Sequence, residues 1–93
     1  MTIEKAAKNI FEDLGFTAEE ASDIKYRAEL LLNIRKICDE EEYSRRDLEK
    51  ILDVPQPRVS ELMTGKIDRF SADKLLVYIE KLGYVVQFKL KRA

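Results

Sequence analysis

Apolar residues recur in this chain at intervals of three and four as far as Leu82, and from Tyr84 onward at every second position. The first rhythm is that of helices with one buried face, and the second is that of a strand. "TIEKAAKNIFEDLG" sets Ile3, Ala7, Ile10, Phe11 and Leu14 on one side of a first helix, and Gly15 offers its stop. Thr17 and Glu20 fit the T-x-x-E capping box, so a second helix is expected to open near Ala18. Its inward positions are Ile24, Ala28, Leu31, Ile34 and Cys38, widened by Leu30 and Ile37, and it runs into the acidic stretch "DEEE". A helix dipole disfavours acids at a carboxyl end, so fraying is expected there. Ser44 caps a third helix, "RRDLEKIL", with Leu48, Ile51 and Leu52 inward; so short a helix must be held by packing. "DVP" turns the chain into a fourth helix, "QPRVSELMT", which buries Val59, Leu62 and Met63, tolerates Pro57 in its first turn and stops at Gly65. A fifth opens at Ser71, carries Leu75, Leu76, Ile79 and Leu82 inward and stops at Gly83, after which "YVVQFKLKR" reads as a strand.

No repeat or linker divides this pattern, so residues 1–93 are read as one domain. Its parts are helices over 1–43, a helix-turn-helix over 44–65, a fifth helix over 71–83 and a strand over 84–91. The composition agrees with a mainly α globular domain built on one core: 45% apolar, 38% charged, and only 3 Gly and 2 Pro in 93 residues. No apolar run nears the ~20 residues that cross a bilayer, and the chain starts with an acidic alternating segment, so a cytoplasmic location without membrane contact is expected. Cys38 is the sole cysteine and histidine is absent, which excludes a disulfide framework, a zinc finger and a Ser/His/Asp triad. Cys38 is expected to be a buried structural thiol. With no phosphate loop and no nucleophile beside a base, neither an enzyme nor a cofactor is expected. The formal net charge of −1 is unevenly spread: about −5 over residues 1–43, +1 over 44–74 and +3 over 75–93. Asymmetry of this kind suggests two surfaces with different partners.

Two short helices joined by a tight turn inside a helical domain form the arrangement that lays its second helix in the major groove of DNA. With Val59, Leu62 and Met63 turned inward, the outer face of "QPRVSELMT" carries Gln56, Pro57, Ser60, Glu61 and Thr64. Gln pairs bidentately with adenine, Ser reaches either base edge, Glu accepts from the cytosine amino group, and Pro57 offers an apolar contact to a thymine methyl. Arg45, Arg58, Thr64, Lys66 and Arg69 surround this face as candidate phosphate contacts, which set register without reading sequence.

"VPQPRVSELMTGKIDRFSADKL" resembles the recognition segment of the Cro/λ-repressor-like (XRE) helix-turn-helix family, and especially of HigA-type antitoxins, in which V-x-Q-x-x-V-S-x-L-x-x-G-K recurs. The likeness is clear over residues 44–83 and extends more loosely to "FEDLG" and "KYRAELLLNIRK" upstream. It implies a five-helix λ-repressor-like DNA-binding domain that works as a homodimer on double-stranded operator DNA, with Gln56, Pro57, Ser60 and Glu61 at bases and Arg45, Arg58, Thr64 and Lys66 at phosphates. The chain departs from the pattern at Arg45, where Gln is usual, at Glu49 in place of Ala, at Asp53 in the Gly position of the turn, and at Pro55 in place of the cap Ser. Asp visits the left-handed conformation and Pro cannot cap, so the turn is expected to be less stable by about 1 kcal/mol. Glu49, if it lay between the two helices, would hold them apart.

A lone strand leaves its amides and carbonyls unpaired, so the C-terminal strand is expected to pair with its copy across the dimer. Tyr84, Val86, Phe88 and Leu90 would form its apolar face, and the recognition helices would stand roughly 34 Å apart. Antitoxins of the resembled type also hold a small basic ribonuclease toxin of the RelE/HigB type. The acidic first third is the candidate surface for it, with Ile3, Ile10, Phe11 and Leu14 as apolar anchors. The leading expectation is therefore an antitoxin that represses its own operon. The alternatives are a stand-alone XRE-type regulator, and a protein-only adaptor in which Glu49 and Glu61 oppose DNA.

Overall fold

The computed structural model describes residues 14–92. Four α-helices and one 3-10 turn follow in order: α1 (Ala18–Glu40), α2 (Arg45–Leu52), α3 (Gln56–Met63), the 3-10 turn (Ile67–Arg69) and α4 (Ala72–Lys81). α1 opens on the expected capping box, with the Thr17 hydroxyl accepting from the Glu20 amide at 3.1 Å and the Glu20 carboxylate accepting from the Thr17 amide at 3.3 Å. α2 opens on a second box, Ser44 with Asp47, closed by bonds of 3.1 and 2.9 Å.

α1 stops inside its acidic run, where Glu42 takes a left-handed φ of 55°. The Tyr43 amide then reaches back to the Cys38 carbonyl at 3.0 Å, and the Glu42 amide to the Asp39 carbonyl at 3.3 Å. This is a Schellman closure, made by a glutamate where glycine is the usual occupant.

Leu30 and Ile34 of α1, Leu48 and Leu52 of α2, Val59 and Leu62 of α3, and Leu75, Tyr78 and Ile79 of α4 form the core, together with Phe70 from the segment between α3 and α4. Met63, expected inside, is only partly buried at its edge. α1 packs on α4 and on the 3-10 turn, while α2 packs on α3 and α4. The two short helices are thus held by packing on each other and, through α2, on α4, as their length requires.

Two expectations need correction. The five-helix count does not fit: the described residues hold four α-helices, and the 3-10 turn was not expected. The expected first helix, with Ile3, Ile10 and Phe11, falls on residues outside those described; Leu14 is exposed in the turn ahead of α1. The C-terminal strand is likewise overturned, because no strand occurs among the described residues and 84–92 is an extended tail without a ladder. The period of two has another cause. Tyr84 donates its hydroxyl to Glu41 at 3.2 Å, Val86 packs on the core, and the Phe88 ring lies 5.9 Å from that of Tyr26. Tyr84, Val86 and Phe88 therefore lay the tail against α1 and the core, Phe88 remaining 63% exposed, and the alternation of contact ends before Leu90, which projects into solvent as Val85 does. Extended backbone yields alternation whether its neighbour is a strand or a helix face.

No helix among the described residues is long and apolar enough to cross a membrane.

Candidate nucleic-acid interface

The turn between α2 and α3 is made by Asp53, Val54 and Pro55. Asp53 takes φ 55°, ψ 52°, the left-handed conformation that aspartate tolerates better than most residues, and both its amide and that of Val54 reach the Glu49 carbonyl. Pro55 occupies the cap of α3 and provides no side-chain bond, but its carbonyl accepts from the Arg58 and Val59 amides at 2.9 and 3.3 Å. Glu49 does not wedge the helices apart: it is half-buried, while Leu48, Leu52, Val59 and Leu62 around the contact are at most 1% exposed.

With Val59 and Leu62 buried, Gln56, Pro57 and Thr64 are exposed on α3, and Ser60 and Glu61 are partly exposed. Arg45, from the first turn of α2, donates to the Ser60 hydroxyl at 3.4 Å, which brings a candidate phosphate contact beside a candidate base reader. The Thr64 hydroxyl donates to the Ser60 carbonyl at 2.8 Å, so its proton is turned into its own helix. A phosphate contact from Thr64 would require that hydroxyl to rotate outward, since phosphate oxygens only accept. Arg58 lies with its guanidinium 4.4 Å above the Phe70 ring and 3.8 Å from Glu61. Arg69, on the 3-10 turn, stands 3.7 Å from the other Glu61 oxygen and 4.0 Å from Asp68. Lys66 is exposed just past the Gly65 stop, and its amide closes α3 on the Glu61 carbonyl at 3.1 Å. Gly65 adopts φ 76°, which that closure requires.

Two residues that frame this surface escape a reading of periodicity. Arg27 of α1 pairs with Asp23 at 2.7 Å and donates to the carbonyls of Ile67 and Phe70 at 3.2 and 3.4 Å, clipping the 3-10 turn to α1. Its position three after Ile24 and four before Leu31 places a cation on the apolar stripe, where its head needs a partner; that was the available signal. Phe70 lies in no periodic segment and left only a lone aromatic between two helices as a clue.

A family model described as a helix-turn-helix domain matches residues 10–91. The chain belongs to this helix-turn-helix domain family. No curated protein matches it. Membership accounts for the architecture of α2, turn and α3, and it points this helix-turn-helix protein towards DNA as partner and regulation as role. A shallow groove between α1 and the tail, lined by Asn33, Lys36, Glu40, Tyr84 and Gln87 among others, includes no residue of α2 or α3. No group of three His, Cys, Asp or Glu among the described residues is placed to hold a metal ion.

Proposed function

We propose that this helix-turn-helix protein is a sequence-specific DNA-binding antitoxin that represses its own operon. The observation that carries the DNA-binding part is the outer face of α3: Gln56, Pro57 and Ser60 lie clear of the core, with Arg45, Arg58, Lys66 and Arg69 around them. In this reading Gln56, Pro57 and Ser60 meet base edges in the major groove and the cations meet phosphates on either side. One eight-residue helix reaches only a few base pairs, so two copies on a two-fold-symmetric operator supply the remaining specificity.

The antitoxin part rests on the resemblance of "VPQPRVSELMTGK" to HigA-type antitoxins and on the acidic first third of the chain. Of the expected anchors Ile3, Ile10, Phe11 and Leu14, Leu14 is 69% exposed, and Leu32 of α1 is 62% exposed, so both offer apolar surface to a basic toxin.

Fluorescence anisotropy on a duplex from upstream of the gene, against a scrambled duplex and across a salt series, tests the first part. Preference for the upstream duplex, with affinity falling steeply as salt rises, is expected; equal binding to both duplexes overturns sequence-specific recognition. Co-expression with the product of the adjacent gene, followed by pull-down, tests the second part. Absence of a complex leaves a stand-alone regulator.

A further inference from the structure

We infer that Glu61 is a specificity-determining residue that acts through Arg58 and Arg69, restraining both from indiscriminate contact with phosphates. The inference rests on the DNA-binding reading of α3. The two carboxylate oxygens of Glu61 face different guanidiniums, Arg58 at 3.8 Å and Arg69 at 3.7 Å, so one anion bridges the recognition helix and the 3-10 turn that follows it. Both distances exceed the ~2.7–2.9 Å of a tight charge-assisted bond. The side chains are 34%, 25% and 60% exposed for Arg58, Glu61 and Arg69, so these pairs contribute little to stability. Their consequence lies in the field at the DNA-facing surface.

Without Glu61 this corner would offer phosphates two arginines. With it, the local charge of the three groups is +1, reduced further at Arg69 by Asp68 at 4.0 Å, and a carboxylate faces any phosphate that approaches. Arg58 has a second contact, the Phe70 ring 4.4 Å from its guanidinium, so loss of the pair is expected to alter its charge environment more than its position. Any duplex presents phosphates to this corner, whereas only a matching one also engages Gln56 and Ser60. On a matching duplex Gln56 and Ser60 fix the register and hence where the phosphates lie, whereas a random duplex is free to shift until its phosphates meet the most positive corner, so lowering the charge of that corner weakens random binding in greater proportion.

The test is Glu61→Gln, which keeps the shape and removes the charge, measured on the upstream and scrambled duplexes across a salt series. The salt slope on scrambled DNA is expected to steepen by about 1, and affinity for it at 0.1 M salt to rise roughly five- to tenfold. The ratio of upstream to scrambled affinity should fall, and the double variant Glu61→Gln/Arg69→Gln should return the slope towards that of the unmodified protein. A purely structural role would move the thermal midpoint and leave the slope alone. Weaker binding to the upstream duplex with scrambled binding unchanged would make Glu61 a base reader and overturn the inference, as would an unchanged slope. Failure of the unmodified protein to bind either duplex would remove the DNA-binding reading itself, a result distinct from any change in the variant.

Discussion

Phe70 gives the sharpest test of how the recognition surface is supported. Its ring is 2% exposed, meets Tyr78 edge-on at 6.0 Å and 70°, and carries the Arg58 guanidinium 4.4 Å above its face. Phe70→Leu keeps most of the buried apolar area and deletes both directional contacts. An aromatic pair contributes about 0.5–1.5 kcal/mol beyond burial, and a cation over a ring at a partly exposed site about 0.5–1 kcal/mol. The expected loss is therefore about 1–2.5 kcal/mol, a large part of the roughly 5–14 kcal/mol a 93-residue domain has in total. Phe70→Ala would forfeit about 3–5 kcal/mol and risk unfolding, so leucine is the better probe. The portion owed to Arg58 is isolated by a double-mutant cycle with Arg58→Met, which retains an apolar stem and removes the charge. Urea denaturation of the four proteins at constant m-value should return a coupling of about 0.5–1 kcal/mol. A coupling indistinguishable from zero would mean that the ring does not hold the arginine and that only packing gives Phe70 its role.

Other outcomes follow from single contacts. Glu42→Gly should stabilise by about 0.5–1 kcal/mol in thermal or urea unfolding, because a non-glycine residue held at φ 55° pays for a conformation glycine adopts freely. Ser44→Ala should cost about 1 kcal/mol through loss of the α2 cap. The Asp47 carboxylate in the same box is held below its ordinary range, first by the Ser44 backbone amide and then by the Ser44 side chain. Its contribution is present above the unfolded-state pKa and is lost as pH falls through the lowered folded value; Asp47→Asn should flatten that acid limb of stability against pH. Arg27→Met leaves the Phe70 carbonyl without its donor and the Ile67 carbonyl with the Phe70 amide alone, which should cost about 1–3 kcal/mol and speed amide exchange at Arg69 and Phe70. The Cys38 thiol is buried and its pKa is raised, by desolvation first and by Asp39 second, so a thiol reagent at neutral pH should label it only as fast as the domain opens.

What the sequence disclosed, and what it withheld, divides by the range of the interaction. The Thr17/Glu20 box, the Ser44 cap, the left-handed Asp53, the uncapped Pro55 and the Gly65 stop all depend on neighbours within five residues, and all are present. The 3-10 turn, the Arg27 clip and the burial of Phe70 depend on partners about 40 residues away, or on a segment with no periodicity to read. The tail misled for a related reason. Alternation at Tyr84, Val86 and Phe88 reports that one side is in contact, and it does not say whether the contact is a strand or the flank of α1. The polar face of α3 was legible because Val59 and Leu62 had to turn inward, and Arg58 and Glu61 stand within one helical turn, but the pair of Arg69 with Glu61 was not legible, since nothing local brings residue 69 back onto residue 61.

These long-range contacts decide how α3 behaves as a binding element. An isolated helix of eight residues without a side-chain cap would be largely unfolded in water. Here its inner face is sealed by Leu48 and Leu52, its end is closed by Gly65 and Lys66, and the turn beyond is tied to α1 by Arg27. Phe70 then reaches back under Arg58 from the far side of that turn. The outer face of α3 is thus ordered by the fold itself, so a partner docking on Gln56, Pro57 and Ser60, as proposed, would have only side-chain freedom left to restrict. The departures of this chain from the usual turn, Asp53 for Gly and Pro55 for a capping Ser, weaken the start of α3. The contacts around its carboxyl end are the compensation, and they explain how so short a helix keeps a fixed outer face despite a poor cap.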